Sequence, residues 1–115
     1  MNEHSFDRLE LSPQLARAIA DAGYTEMTGI QENVIPIIRQ GRDVIGQSST
    51  GTGKTAAFGI PAIELIDDFE SPDPQVLVLC PTRELAMQVS EELRKFSKYK
   101  EGVRVVTVYG GQSIE

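Results

Sequence analysis

The sequence predicts an α/β fold, a parallel sheet with flanking helices, and three observations carry that expectation. Short apolar runs of strand character alternate with segments whose apolar residues recur at helical spacing. A glycine-rich octapeptide lies between the first of those runs and a helix. Strands joined through helices imply βαβ units, parallel pairing and right-handed crossovers. About three strands are expected, at residues 43–46, 76–80 and 103–109.

Each element has a local reason. Ser12 is placed to cap a helix whose first residue is Pro13; Leu15, Ile19 and Ala22 share one face, and Gly23 ends it. A second helix is expected from Thr28 to near Gly41, with Ile30, Val34, Ile37 and Ile38 turned inward and Pro36 either kinking it or capping its first half. After the strand at 43–46, the glycine-rich stretch feeds a helix over about residues 55–66, disturbed at Pro61. An acidic, proline-bearing loop follows at 67–74, then Val76-Leu77-Val78-Leu79-Cys80, whose unbroken apolar character suits a strand buried on both faces. Leu85, Val89, Leu93 and Phe96 give the next helix its stripe, with Glu91 and Lys95 paired on the wet side.

A length of 115 residues with 40% hydrophobic content suits one domain. No apolar run approaches the roughly 20 residues that span a bilayer, and the start lacks a secretory pattern, so a cytoplasmic protein without membrane association is expected. Cys80 is the only cysteine, which excludes an internal disulfide or a thiolate metal cluster and fits a reducing compartment. The net charge of −6 points away from bulk attraction to nucleic acid, so RNA binding would have to rest on local contacts.

Ser48-Ser49-Thr50-Gly51-Thr52-Gly53-Lys54-Thr55 follows a strand and opens a helix, the order a phosphate-binding loop requires. Gly51 and Gly53 allow the turns that aim consecutive N–H groups at a phosphate, and the helix adds its positive end. Lys54 would place an ammonium between β- and γ-phosphates, and Thr55 a hydroxyl on Mg²⁺. Ser48 stands where the strict pattern has glycine. Kinases, transporters, GTPases and helicases all carry such a loop, so it does not name the reaction.

The order of motifs does more. Phe6, Gly23-Tyr24-Thr25-Glu26-Met27-Thr28-Gly29-Ile30-Gln31, the octapeptide, Pro81-Thr82-Arg83-Glu84-Leu85-Ala86 and Gly110-Gly111 together resemble the first RecA-like domain of DEAD-box ATP-dependent RNA helicases, over nearly the whole chain. Met27 and Gly29 stand where that family usually has prolines.

The resemblance implies a P-loop NTPase of RecA-like fold, ATP and Mg as cofactors, and RNA as partner through its backbone. It divides the chain into N-terminal helices with an adenine-recognition motif at residues 1–41 and the first part of the ATP-binding domain at 42–115. Gln31 would read adenine, since a carboxamide offers one donor and one acceptor, while Phe6 would stack on the base. Thr28 and Gln31 also fit a capping box, which leaves a purely structural role open. Pro81, Thr82, Arg83, Gly110 and Gly111 would touch RNA; the alternative for Arg83 is a carboxylate partner that braces its helix.

Lys54 and Thr55 are a partial catalytic set. No Asp-Glu dipeptide occurs, so the family's Asp-Glu-Ala-Asp segment is absent, as are the rest of the domain and the second RecA-like domain. The chain is therefore expected to start at its own beginning, to stop within a domain and to bind nucleotide without hydrolysing it, while the longer parent is an enzyme. A stand-alone nucleotide or RNA module, or another P-loop NTPase, are the alternatives. Asp67-Asp68 ends a helix and is read as a solvated face; His4, as a loose terminal residue, and Tyr109 are expected to lack catalytic partners.

Overall fold

A computed structural model describes residues 4–47, 53–67 and 72–110. A short 3-10 turn, Phe6–Leu9, precedes four helices: α1 Pro13–Asp21, α2 Gly29–Arg39, α3 Lys54–Leu65 and α4 Arg83–Ser97. The Ser12 hydroxyl accepts from the Leu15 N–H at 3.4 Å, and Pro13 opens α1 as its sequence suggests. The α1 C-terminus closes by Gly23 N–H to Ala20 O at 3.0 Å and Tyr24 N–H to Ile19 O at 3.1 Å. The end of α2 repeats this, with Gly41 N–H on Ile38 O at 2.9 Å and Arg42 N–H on Ile37 O at 3.2 Å. Both closures need one residue of positive φ, here Gly23 at 89° and Gly41 at 77°.

Neither helix ends at its proline: α2 runs through Pro36 and α3 through Pro61. A proline inside a helix costs about 3 kcal/mol, and tertiary packing offsets it. Ile35 and Ile60 are fully buried, and Arg39 forks onto Glu64 at 3.0 and 2.7 Å, tying α2 to α3. The buried stripe of α2 is also shifted. Gln31 and Ile35 are its deepest residues and Val34 is buried, while Ile30, Ile37 and Ile38 are half-buried. Two surfaces share the helix: the core takes Ile35, and the chain at Gly46 presses on Ile30 and Val34, where an added Cβ would come within 3.0 and 3.1 Å.

The core joins Phe6, Leu9, Leu15, Ile19, Ile35, Ala56, Ile60, Ile63 and Phe96, so residues before and after position 41 pack together. Gly59 lets α3 approach α4, since a Cβ there would lie 2.7 Å from Leu93 Cδ2. Lys100 places its ammonium on the last carbonyls of α3, 2.7 Å from Ile63 O and 2.9 Å from Ile66 O. A cation there complements the negative end of the helix dipole.

The three expected strands are the main correction. Residues 43–47, 76–80 and 103–109 contain no helix or turn, yet among the described residues they form no strand ladder; the recorded bridge is an isolated antiparallel one between Ser5 and Glu26. From 103 to 109 burial alternates with period two, the signature of an extended chain with one covered side. The outer side chains are bare: Ile45 is 92% exposed, Leu77 81%, Leu79 85%, Val106 80% and Val108 70%. With Leu77 and Leu79 bare, the burial on both faces expected of residues 76–80 is not met among the described residues.

Candidate functional site

The first turn of α3 is the centre of the site. Its N-cap is Gly53, at φ 90° and ψ −23°, and among the described residues no side chain caps the helix. The first N–H groups of a helix have no partner within it, so an uncapped start is ready for an anion. Lys54 and Thr55 follow at once, both half-buried. Residues 48–52 of the octapeptide, Ser48, Ser49, Thr50, Gly51 and Thr52, lie outside the described residues, as does Gly111.

Gln31 links this turn to α2. Its Oε1 accepts from the Thr28 N–H at 2.9 Å, while Thr28 Oγ1 accepts from the Gln31 N–H at 3.5 Å, completing the capping box. Its Nε2 donates to the Gly53 carbonyl at 3.1 Å. The carboxamide is fully buried, so the capping role foreseen as an alternative is present, together with a contact to the loop that sequence alone did not supply. A Cβ on Gly53 would sit 3.1 Å from Gln31 Nε2 and 3.4 Å from Thr28 Oγ1, so glycine is needed there for both its φ and its lack of bulk.

Phe6 is placed differently from an open stacking platform. Ser5 caps the 3-10 turn by accepting from the Asp7 N–H at 3.1 Å, and the turn folds the Phe6 ring into the core at 5% exposure. The ring meets Tyr24 edge-on at 5.8 Å and 79°, and Tyr24 meets Phe96 at 5.6 Å and 61°. The Tyr24 hydroxyl donates to Glu92 Oε1 at 3.1 Å; burial, then the Glu92 carboxylate, pushes its pKa up to about 12. His4 is also not loose: its ring bonds Glu32, and its carbonyl accepts from the Met27 N–H at 2.6 Å.

A second surface lies at the start of α4. Thr82 Oγ1 accepts from the Leu85 N–H at 3.1 Å, making Thr82 the N-cap. Pro81, Thr82 and Arg83 line one open groove with Tyr109 and Gly110, which brings together the two motifs assigned to RNA. Among the described residues Arg83 shows no carboxylate brace. Its guanidinium carbon lies 5.2 Å from the centre of the Tyr109 ring, a cation–π contact. That partnership could have been sought in the sequence only by pairing the ends of two predicted elements.

Away from both surfaces, Asp21 takes a hydrogen bond from Tyr99 and an ion pair from Lys98 at 3.1 Å, binding the end of α1 to the end of α4. The Tyr99 hydrogen bond, then Lys98, holds the Asp21 carboxyl below its ordinary range, and the bond to Asp21 raises Lys98. Among the described residues there is no cluster of ligands for a protein-held metal and no helix long and apolar enough to cross a membrane.

Comparison with known proteins places this geometry. The ATP-dependent RNA helicase CshA of Limosilactobacillus reuteri is 54% identical over 109 residues, covering 95% of this chain and 22% of the relative. A DEAD-box ATP-dependent RNA helicase of Oryza sativa subsp. japonica is 50% identical over 115 residues, covering 99% of this chain and 22% of the relative. The chain thus spans about a fifth of the length of these curated relatives. Among solved structures, a DEAD box protein from Methanococcus jannaschii superposes with a TM-score of 0.85 at 36% identity, over 95% of this chain and 30% of that one. An RNA helicase from Chaetomium thermophilum bound to ADP gives 0.85 at 40% identity, over 95% and 27%. The α/β fold is therefore that of part of a RecA-like helicase domain, and with residues 28–115 matching the DEAD/DEAH box helicase family, the chain belongs to that family.

Proposed function

We propose that this chain is the nucleotide-gripping part of an ATP-dependent RNA helicase, one that couples ATP hydrolysis to RNA remodelling in its full-length form and acts in the cytoplasm. The observation that carries the reading is the uncapped start of α3 at Gly53, joined to the buried Gln31 amide by one hydrogen bond. The donors fit a nucleotide: main-chain N–H groups and an ammonium for phosphates, a hydroxyl for a hydrated cation, a carboxamide for a base. Lys54 would hold phosphate oxygens, and Thr55 would take its place among the ligands of Mg²⁺. Mg-ATP supplies the transferable phosphoryl group and the charge neutralisation it needs.

Base recognition falls to Gln31, whose Nε2 and Oε1 each have hydrogen-bonding capacity beyond the bonds to Gly53 and Thr28. We give Phe6 the task of shaping the ground beneath that site, because the ring is enclosed against Tyr24 and offers a purine almost no face. RNA would lie along Pro81, Thr82, Arg83 and the Gly110-Gly111 pair, held by phosphate and sugar and read for shape. A Cβ at Gly110 would meet nothing within 4 Å, so packing among the described residues does not explain that glycine, and room for an outside ligand does.

The test is calorimetry with Mg-ADP. Wild type should bind and Lys54→Ala should lose most of the affinity, since one charged donor to phosphate is removed. Equal affinity in the two proteins would overturn the reading.

A further inference from the structure

We propose that Tyr109 is a positioning residue whose ring fixes the Arg83 guanidinium in the groove, so that an RNA phosphate meets a cation already oriented. The inference rests on the RNA reading of Arg83 and deepens it by naming the group that sets the arginine.

The contact is the last step of a register between α4 and residues 103–109. Arg94 Nη2 donates to Val105 O at 3.1 Å and to Thr107 Oγ1 at 3.3 Å. The Thr107 hydroxyl donates to Ser90 Oγ, and the Ser90 hydroxyl donates to Ala86 O at 2.8 Å. Residues 105, 107 and 109 share one side of an extended chain, while 83, 90 and 94 share one face of a helix. Two of the three levels are hydrogen-bonded, which leaves the third, Tyr109, opposite Arg83 at 5.2 Å.

Arg83 is the first residue of α4 and is exposed, so its long side chain would otherwise lose rotamer freedom on meeting a ligand. A planar guanidinium over a ring keeps its N–H edge available for phosphate while its face is occupied. Lysine has no such plane. The two RNA motifs would then act as one unit, because the ring that precedes Gly110 is the rest on which Arg83 lies.

The whole chain, labelled with ¹⁵N, gives a readout that does not depend on RNA: the Arg83 Nε–H resonance should be displaced by the ring current. That displacement should persist in Tyr109→Phe and collapse in Tyr109→Leu. Affinity is then read by anisotropy of a short fluorescein-labelled oligouridine. A cation–π contact at an exposed site predicts that Tyr109→Leu weakens binding roughly 2- to 5-fold and that Tyr109→Phe restores it. Arg83→Lys, at an exposed site that does not threaten folding, should weaken it similarly, and the two losses should not add in Tyr109→Leu/Arg83→Lys. Additive losses, or no ring-current displacement in wild type, would overturn the positioning role. If Arg83→Ala weakens binding while Tyr109→Leu does not, the RNA reading stands and the role of Tyr109 is overturned. If wild type fails to bind, or Arg83→Ala binds as wild type does, the RNA reading itself fails and the role of Tyr109 falls with it.

Discussion

Gln31 Nε2 donates to the Gly53 carbonyl at 3.1 Å, so the side chain that caps α2 also fixes the residue from which α3 starts. Each partner of this bond can be removed separately, and the two removals have different signatures.

Removing the amide leaves two polar groups stranded. Gln31→Leu deprives the Thr28 N–H and the Gly53 carbonyl of their partner in a site with no exposed surface, which should cost about 1–3 kcal/mol. Gln31→Glu keeps an acceptor for Thr28 but sets a carboxylate against the Gly53 carbonyl, and should be no better. Urea midpoints decide the matter; an unshifted midpoint in both variants would mean the buried amide contributes nothing net. Competition between ADP and GDP adds the functional half, since erosion of an ADP preference in Gln31→Glu is expected only if the amide reads the base.

Changing the glycine acts through backbone and bulk together. Gly53→Ala puts a side chain at φ 90°, with strain on the order of 1–2 kcal/mol, and presses a methyl 3.1 Å from Gln31 Nε2. Lower stability together with weaker Mg-ADP binding is expected. A variant that melts as wild type does would show that the turn relaxes without loss.

Alkali should loosen the Tyr24 junction. Its folded pKa of about 12 lies above the ordinary 10.0, so the folded state holds the proton more tightly than the unfolded one. The stabilisation is whole below pH 10 and is lost as pH climbs towards 12. The full shift corresponds to roughly 2–3 kcal/mol, and solvent screening of this part-exposed hydroxyl trims it to about 1 kcal/mol. Tyr24→Phe should flatten stability across that window. Parallel slopes for the two proteins would assign the alkaline loss to other groups.

Acid should act on the opposite junction. Asp21 is held below its ordinary pKa, so its contribution is present above the unfolded value and fades as pH falls through the folded one. Denaturation midpoints measured at roughly pH 6 and pH 3 bracket the change. Asp21→Asn, which keeps an acceptor for Tyr99 but not the charge opposite Lys98, should show a smaller drop between those conditions than wild type.

The helices were legible because their ends carry chemistry. Ser12, Thr28 and Thr82 cap where their residue type says they should, and Gly23 and Gly41 close α1 and α2. That α2 and α3 continue through their prolines was not legible, because propensity is local: it cannot see Ile35 and Ile60 buried on the same helices. The apolar runs misled differently. Hydrophobicity at Leu77, Leu79 and Val106 records what a residue prefers to have beside it, not whether a neighbouring backbone is there to pair with, and one side of each run is bare. At the site, residue types gave Gln31, Gly53, Lys54 and Arg83 their chemistry. The Gln31–Gly53 bond and the Tyr109 ring under Arg83 join residues far apart in sequence, and no periodicity encodes such pairs.

Lys100, fastened to the carbonyls of Ile63 and Ile66, gives α3 a mechanical asymmetry. One end of the rod is pinned to the chain that leaves α4; the other starts at Gly53, just ahead of Lys54 and Thr55. Sliding α3 along its axis would first have to pull two carbonyls off an ammonium, and Gly59 is where the helix comes close against Leu93. α3 and α4 pack through Ile60, Ile63 and Phe96, with Arg83 at the head of α4.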